Sequence, residues 1–172
     1  MINLSTKERI LLEDEKSHEE LCVSKYKDYS TKAKDPKLQT LFSQLAQKEQ
    51  QHLDSINQLL NGVVPNINQQ QGHQNQQSGS SMPQLQLNQQ ASTSLKNISI
   101  PSMQNNSYDQ NDKMLCQDSL STEKYVSSTY NTAIFEFKDK NVRQVLNHIQ
   151  KEEQEHGEEI FNYMSQNGMY NA

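Results

Sequence analysis

Six acidic and imidazole side chains form the pattern in this sequence with the most chemical potential. They are Glu19, Glu49, His52, Glu123, Glu153 and His156. Glu49 and His52 are three residues apart, as are Glu153 and His156, and side chains at this spacing lie on one face of a helix. Each pair can therefore present a carboxylate and an imidazole to the same point, which is an arrangement that suits a metal ion.

The positions of these residues predict that they point inward. All six continue apolar stripes of helical spacing, such as Leu38, Leu41, Leu45 and Ile56 around Glu49. An unpaired ion in a core costs several kcal/mol. Two divalent cations would neutralise four carboxylates while both imidazoles bind in their neutral form. The mixed oxygen and nitrogen set favours iron or manganese, with zinc as an alternative. The competing interpretations are a solvated helix surface and a cluster that shares protons.

The chain contains the same unit twice. Displacing the second copy by 104 positions places Asp139 on Asp35, Glu123 on Glu19 and Tyr130 on Tyr26, without a gap over about 50 residues. Each copy is predicted to be a helical hairpin. The hairpin turns centre near Lys34 and Lys138. The four glutamates of the pattern each lie 15 residues from the turn of their own copy, so their carboxylates should lie at one level.

The same arithmetic excludes a pair of aspartates as metal ligands. Asp14 and Asp118 would miss that level by about five residues, roughly 7.5 Å. Tyr26 and Tyr130 are predicted to be core residues, or partners of the ligands, rather than redox relays.

Helix-terminal residues set the expected helices. Asp35 followed by Pro36 predicts a helix start, as does Asp139 in the second copy. Ser5 with Glu8 resembles a capping box. Asn61-Gly62 and Asn167-Gly168 are typical helix ends. The predicted helices cover residues 6–32, 36–60, 112–137 and 140–166. Because one hairpin cannot bury both its stripes, the fold class is predicted as all-α, with two hairpins packed into a ferritin-like four-helix bundle.

A segment of very different composition separates the copies. Residues 61–111 contain 21 Asn or Gln among 51 positions. Such a composition predicts a disordered crossover linker, long enough to run the length of the bundle. The expected organisation is a first hairpin at 1–60, the linker at 61–111 and a second hairpin at 112–172, with both hairpins in one domain.

Bulk properties exclude several classes of function. The net charge is −5, and no cluster of Lys and Arg predicts a nucleic-acid partner. No apolar run approaches the roughly 18 residues of a membrane span, and the amino terminus has no signal-peptide pattern. Cys22 and Cys116 are far apart in the sequence and are expected to be small core residues in a reducing compartment.

Parts of the chain resemble known families. Glu19-Glu20-Leu21-Cys22-Val23-Ser24-Lys25-Tyr26 with Glu49-Gln50-Gln51-His52 resembles the rubrerythrin and ferritin-like superfamily, although no four-cysteine iron module accompanies it. Glu152-Glu153-Gln154-Glu155-His156 with Phe161-Asn162-Tyr163-Met164 and Gly168-Met169-Tyr170 resembles the Coat F family of bacterial spore coat proteins. This resemblance implies synthesis in the mother-cell cytoplasm, location in the spore coat, and other spore coat proteins or a second copy as partners.

Three functions are compatible with these observations. The leading hypothesis is a structural spore coat protein whose bundle carries a di-metal carboxylate site. The alternative is a di-manganese or di-iron oxidoreductase that removes peroxide or oxidises ferrous iron. The third is a module that binds iron without turnover.

Overall fold

A computed structural model describes residues 2–66 and 108–170, which form four α-helices. They are α1 (Thr6–Lys32), α2 (Pro36–Leu60), α3 (Gln110–Ile134) and α4 (Lys140–Gln166). Within these residues no strand occurs, so the predicted all-α four-helix class is confirmed. The bounds of α1, α2 and α4 coincide with those predicted, because each begins after a capping residue, and α2 and α4 end at an Asn-Gly pair.

Local hydrogen bonds explain where the helices begin. Ser5 and Glu8 form the predicted capping box at α1. The side chains of Asp35 and Asp139 accept hydrogen bonds from the first backbone N–H groups of α2 and α4. At the carboxyl ends, Gly62 and Gly168 follow α2 and α4 with positive φ values of 79° and 68°, a conformation that glycine adopts without strain.

The predicted bounds of α3 were wrong. The helix spans 110–134 rather than 112–137, because Asp109 caps it by accepting hydrogen bonds from the N–H groups of Asn111 and Asp112. Composition had assigned Asp109 to the linker. At the other end, the chain leaves the helix before Phe135, whose side chain is 83% exposed, and then returns Phe137 to the core.

The helices pack as two antiparallel hairpins around one core. α1 contacts α2 and α3, and α4 contacts α3 and α2. The core consists mainly of large aliphatic and aromatic side chains: Leu12, Tyr26, Leu38, Phe42, Leu45, Ile56, Leu59, Tyr130, Leu146, Ile149, Ile160 and Met164 are its largest fully buried members. Within the described part of the chain, no helix has the length and hydrophobicity needed to cross a membrane.

Two buried carboxylates fasten each hairpin to the turn of the other. Glu8, at the start of α1, accepts a hydrogen bond of 2.9 Å from the backbone N–H of Lys138. Its repeat equivalent Asp112, at the start of α3, accepts bonds of 2.8 and 2.9 Å from the N–H groups of Lys34 and Asp35. These contacts make neighbouring helices of the two hairpins antiparallel.

The end of α2 and the start of α3 lie at opposite ends of the bundle. Gly62 accepts a hydrogen bond from Ile2, next to the start of α1, whereas Asp112 bonds the turn that follows α1. The connection between the hairpins therefore has to run about 38 Å, the length of a 25-residue helix. Residues 67–107 lie outside the described residues, so the predicted disorder of the linker remains a prediction, as does the three-part division of the chain.

Candidate metal centre

The structure brings the six residues singled out by their spacing together at mid-height in the bundle. Their exposed fractions are 3% or less. They fall into two overlapping groups, and within each group the potential ligand atoms lie within 4.8 Å of one another. The first group is Glu19, Glu49, His52 and Glu153; the second is Glu49, Glu123, Glu153 and His156. Glu49 and Glu153 are common to both, so they occupy the middle of the cluster.

The hairpin geometry produces this arrangement. Glu49 and His52 lie on the buried face of α2, and Glu153 and His156 lie on that of α4. The other two glutamates come from α1 and α3, at the same distance from their turns. The prediction that the carboxylates lie at one level is consistent with these interatomic distances.

Both imidazoles turn the same nitrogen inward. Nδ1 of His52 lies 3.3 Å from Glu49 Oε2, 2.9 Å from Glu153 Oε1 and 3.6 Å from Glu19 Oε2. Nδ1 of His156 lies 2.9 Å from Glu49 Oε1 and 3.8 Å from Glu123 Oε2. One nitrogen carries at most one hydrogen, so it cannot donate to every carboxylate around it.

Within residues 2–66 and 108–170, several carboxylate oxygens in the cluster consequently find no hydrogen-bond donor. They are Glu19 Oε2, Glu123 Oε2 and both Oε atoms of Glu153. Leaving buried charged acceptors unsatisfied carries a large desolvation cost. A cation bound among them would coordinate these oxygens, so the donor set fits a divalent metal ion, and the buried cluster could hold one.

Two tyrosines donate hydrogen bonds across the bundle to the second oxygen, Oε1, of Glu19 and of Glu123. Tyr26 of α1 donates its hydroxyl hydrogen to Glu123 Oε1 of α3, and Tyr130 of α3 donates to Glu19 Oε1 of α1. Both rings are completely buried. The tyrosines are therefore core residues that orient the glutamates, as expected, and each one joins the two hairpins.

The protonation of the metal-free cluster reflects burial and crowding. Burial opposes the charged form of His156, but the carboxylates of Glu123 and Glu49 outweigh it and raise the pKa to about 9. The pKa of His52 is likewise raised well above its usual value against the effect of burial, by four surrounding carboxylates.

The glutamates differ in their pKa values according to their neighbours. Burial raises the pKa of Glu19 to about 7, although His52 opposes the shift. Burial and the charge of Glu49 raise the pKa of Glu153 well above its usual value. For Glu49, burial acts in the same direction, but hydrogen bonds from His156 and His52 hold its pKa below the usual range. These opposed shifts favour protons shared between neighbouring side chains, and bound cations would have to displace those protons.

Sequence reasoning missed one contributor, Glu152. Its Oε2 lies 3.0 Å from Nε2 of His52 and 3.4 Å from Nε2 of His148. Burial opposes its charge, but the bond to His52 lowers the pKa of Glu152 to about 2. Its repeat equivalent is Lys48, which lies 3.9 Å from the same carboxylate. The comparison of the two copies emphasised what they share and so passed over this difference.

The two aspartates excluded as metal ligands are not among the clustered residues. Asp14 is exposed, and Asp118 pairs with Lys25 at 2.8 Å, so neither belongs to the cluster. Nδ1 of His18 lies 3.3 Å from the buried carboxylate of Glu15, away from the cluster residues. Cys22 and Cys116 are buried free thiols, as predicted.

Comparison with known proteins gives one match. No curated protein and no solved structure shows significant similarity to the chain. Residues 111–172 match the family model described as the Coat F domain. This range contains α3 except its first residue, all of α4, and three of the clustered residues, Glu123, Glu153 and His156. It agrees with the resemblance drawn from the sequence, and it points to a spore coat protein. The second hairpin of this chain is therefore similar to the Coat F domain.

Proposed function

We propose that this chain is a spore coat protein whose bundle binds two divalent metal ions and contributes to coat structure. The observation that carries the proposal is the buried cluster of four glutamates and two histidines with four carboxylate oxygens that lack a donor. The ions would rest between two Glu-x-x-His pairs and two single glutamates, the ligand set of ferritin-like di-iron and di-manganese proteins. Iron or manganese suits this oxygen-rich set best.

The metal would have a structural role because its ligands come from both hairpins. Each of the two groups combines residues of α2 and α4 with one glutamate of α1 or α3. Bound ions would replace protons at the cluster; each ion would connect three helices, and the two together would connect all four. Since any ligand that binds only the folded state stabilises it, metal binding should raise the free energy of unfolding by several kcal/mol at saturating concentrations.

Elemental analysis of the full chain, purified from its native host, tests the proposal. We expect about two ions of iron or manganese per chain. The double substitution Glu49→Gln and Glu153→Gln should abolish binding, because it neutralises the two carboxylates that both groups share. Glu159→Gln, an exposed glutamate on α4, is the matched control and should retain the metal. Metal-free wild-type protein that also fails to bind added Mn²⁺ or Fe²⁺ would contradict the proposal.

A second candidate function is a di-manganese or di-iron oxidoreductase acting on peroxide or ferrous iron. It is favoured by a cleft between α3 and α4 that Glu123 and Glu153 line, because an enzyme needs access to its centre. The metal-loaded protein would be assayed for peroxide loss. Turnover that is absent in the wild type, or that is unaffected by the double substitution, would reject this candidate.

Assembly with other spore coat proteins, or with a second copy of the chain, is part of the proposal. Several large apolar side chains are exposed on the bundle: Ile10, Leu21, Met114, Tyr125 and Phe135 are each at least 57% exposed. The Coat F match supports the proposed location in the coat, and synthesis in the mother-cell cytoplasm is proposed with it.

The Gln/Asn-rich linker is proposed to promote assembly, because tracts of this composition are prone to β-type self-association. This contribution can be tested without disturbing the bundle. Deleting the linker would disrupt the bundle, because the end of α2 and the start of α3 lie at opposite ends of it and the chain has to span that distance. Replacement of residues 67–107 by a Gly/Ser-rich segment of equal length, with an r.m.s. span of about 35 Å, avoids this problem. We expect a folded bundle that is incorporated poorly into the coat. Normal incorporation would show that the Gln/Asn-rich composition is not required.

A further inference from the structure

A cleft between α3 and α4 leads to the buried cluster. It has a volume of about 340 Å³ and is lined by Leu120, Glu123, Lys124, Ser127, Glu153, Gln154 and Gly157. Lys124 and Gln154 are exposed, whereas Glu123 and Glu153 are 2% and 0% exposed. The two glutamates therefore form the inner wall of the cleft, and the lysine and glutamine lie at its rim.

The internal repeat provides a control for the origin of this cleft. The residue equivalent to Gly157 in the first copy is Leu53, which is half-buried on α2. A Cβ at Gly157 would lie 3.7 Å from Glu123 Cβ and 3.7 Å from Leu120 Cδ1, so a larger side chain would extend over the inner glutamate. The absence of a side chain at this position leaves space where the other copy has a leucine.

The rim differs in charge between the two copies as well. Lys124 is equivalent to Glu20, which is exposed and lies 3.7 Å from Lys16. A lysine at the mouth attracts anions and repels cations. Much of the remaining lining consists of carbon atoms from Leu120, Gly157 and the stem of Lys124, so a compact and weakly polar molecule would fit best.

In the part of the chain that the structure describes, the inner wall of the cleft carries carboxylate oxygens without a hydrogen-bond donor. Glu123 Oε2 and both Oε atoms of Glu153 have no hydrogen-bond donor. We propose that the cleft beside Gly157 is the site where a neutral or singly negative ligand of a few atoms, such as hydrogen peroxide, approaches the cluster. The assignment rests on the proposed metal centre, and it places ligand access on the Coat F hairpin.

Azide binding to the cobalt-loaded protein tests this assignment independently of turnover. Full-length protein is loaded with Co²⁺, metal content is measured, and the change in visible absorption on adding azide is followed by stopped flow. Gly157→Leu should slow azide association by about tenfold or more while the cobalt content is retained. Leu53→Gly, the change at the equivalent position of the first copy, should leave the rate of azide association the same as in the wild type.

A charge variant gives a second measurement should Gly157→Leu fail to fold or to bind cobalt. Lys124→Glu should slow azide association by about tenfold at low ionic strength, with a smaller effect at high salt. Unchanged azide rates in Lys124→Glu, or in a cobalt-loaded Gly157→Leu variant, would overturn the access route while the metal centre stands. Wild-type protein that binds no cobalt would overturn both the centre and the route.

Discussion

The two hairpins supply matched ligands but unmatched surroundings. Glu19, Glu49 and His52 repeat as Glu123, Glu153 and His156, and all six are buried. Around them, the first copy has Lys48, Leu53 and Glu20 where the second has Glu152, Gly157 and Lys124. As a result, Nε2 of His52 has a carboxylate partner from the opposite hairpin, and the cleft beside the cluster lies on the side of α3 and α4.

This difference separates two requirements of a centre of this type. Residues that would hold the ions have to come from both copies, because charge balance and level depend on them. Residues around the ligands decide orientation and access, and these can differ without disturbing the fold. Duplication thus accounts for the shared part of the site, and divergence for the part that distinguishes one half from the other.

The largest expected effect tests what both halves share. The pKa of His156 is about 9 instead of 6.5 in the metal-free protein. Because the folded protein holds this proton more tightly than the unfolded chain does, the contribution of His156 to stability is fully present below pH 6.5. It disappears as the pH rises through about 9. This difference corresponds to about 3 kcal/mol. The pKa of Glu19 is about 7 instead of 4.5, so its contribution to stability is lost at lower pH, as the pH rises from 4.5 through about 7.

Urea unfolding between pH 5 and about pH 9.5 measures this loss of stability in the presence of a chelator. Saturating Mn²⁺ should remove the loss of stability above pH 6.5, because the ions replace the protons of the cluster. His156→Gln should reduce the loss above pH 6.5 in the chelated protein. Chelated and metal-loaded proteins with the same pH profile would show that protons and ions do not compete at the cluster.

The next effect distinguishes the two halves. Glu152→Gln removes the carboxylate that accepts from Nε2 of His52, and such outer partners of metal-binding histidines contribute about 10–100-fold to affinity. Calorimetric titration with Mn²⁺ should show that the affinity for one ion falls by that factor, whereas the affinity for the other changes little. Glu155→Gln, on an exposed neighbour that pairs with Lys151, is the control. Equal weakening of both ions would remove the distinction between the halves.

A smaller effect compares the two turn contacts. Asp112 accepts hydrogen bonds from two N–H groups of the opposite turn, whereas Glu8 accepts one. Asp112→Asn should destabilise the protein by about 1–3 kcal/mol, because the amide offers fewer acceptor positions to those buried donors. Glu8→Gln should cost less. Urea unfolding measures both against the exposed control Asp14→Asn; a loss in Asp112→Asn no larger than in the control would refute the fastening role.

The smallest effect concerns the glycine that opens the cleft. Gly157 lies within α4, and an added Cβ would meet only ordinary contacts at 3.7 Å. Gly157→Ala should therefore stabilise the helix by about 1 kcal/mol. Gly168→Ala should have the opposite sign, because φ at this position is 68°. The thermal midpoints of the two variants check the contrast, and a lower midpoint for Gly157→Ala would mean that the cleft cannot accept even a methyl group.

Most of the fold could be predicted because its determinants are local. The capping residues Ser5, Asp35 and Asp139 fixed three helix starts, and the repeat located all six clustered side chains. The start of α3 was missed because its cap, Asp109, follows a Gln/Asn-rich segment whose composition concealed it. Glu152 and Asp112 were missed because their partners lie on the other hairpin, at contacts that local spacing does not encode.

The crossed hydrogen bonds of Tyr26 and Tyr130 have a consequence for any isolated hairpin. Each phenol donates a hydrogen bond to a glutamate of the other hairpin. Separated from its neighbour, α3–α4 would keep a tyrosine without its acceptor and an acid without its donor, and it would expose the apolar face that α1 and α2 cover. A lone hairpin of this kind is self-complementary in chemistry, so the simplest way for it to become soluble and ordered is to pair with another hairpin of the same design.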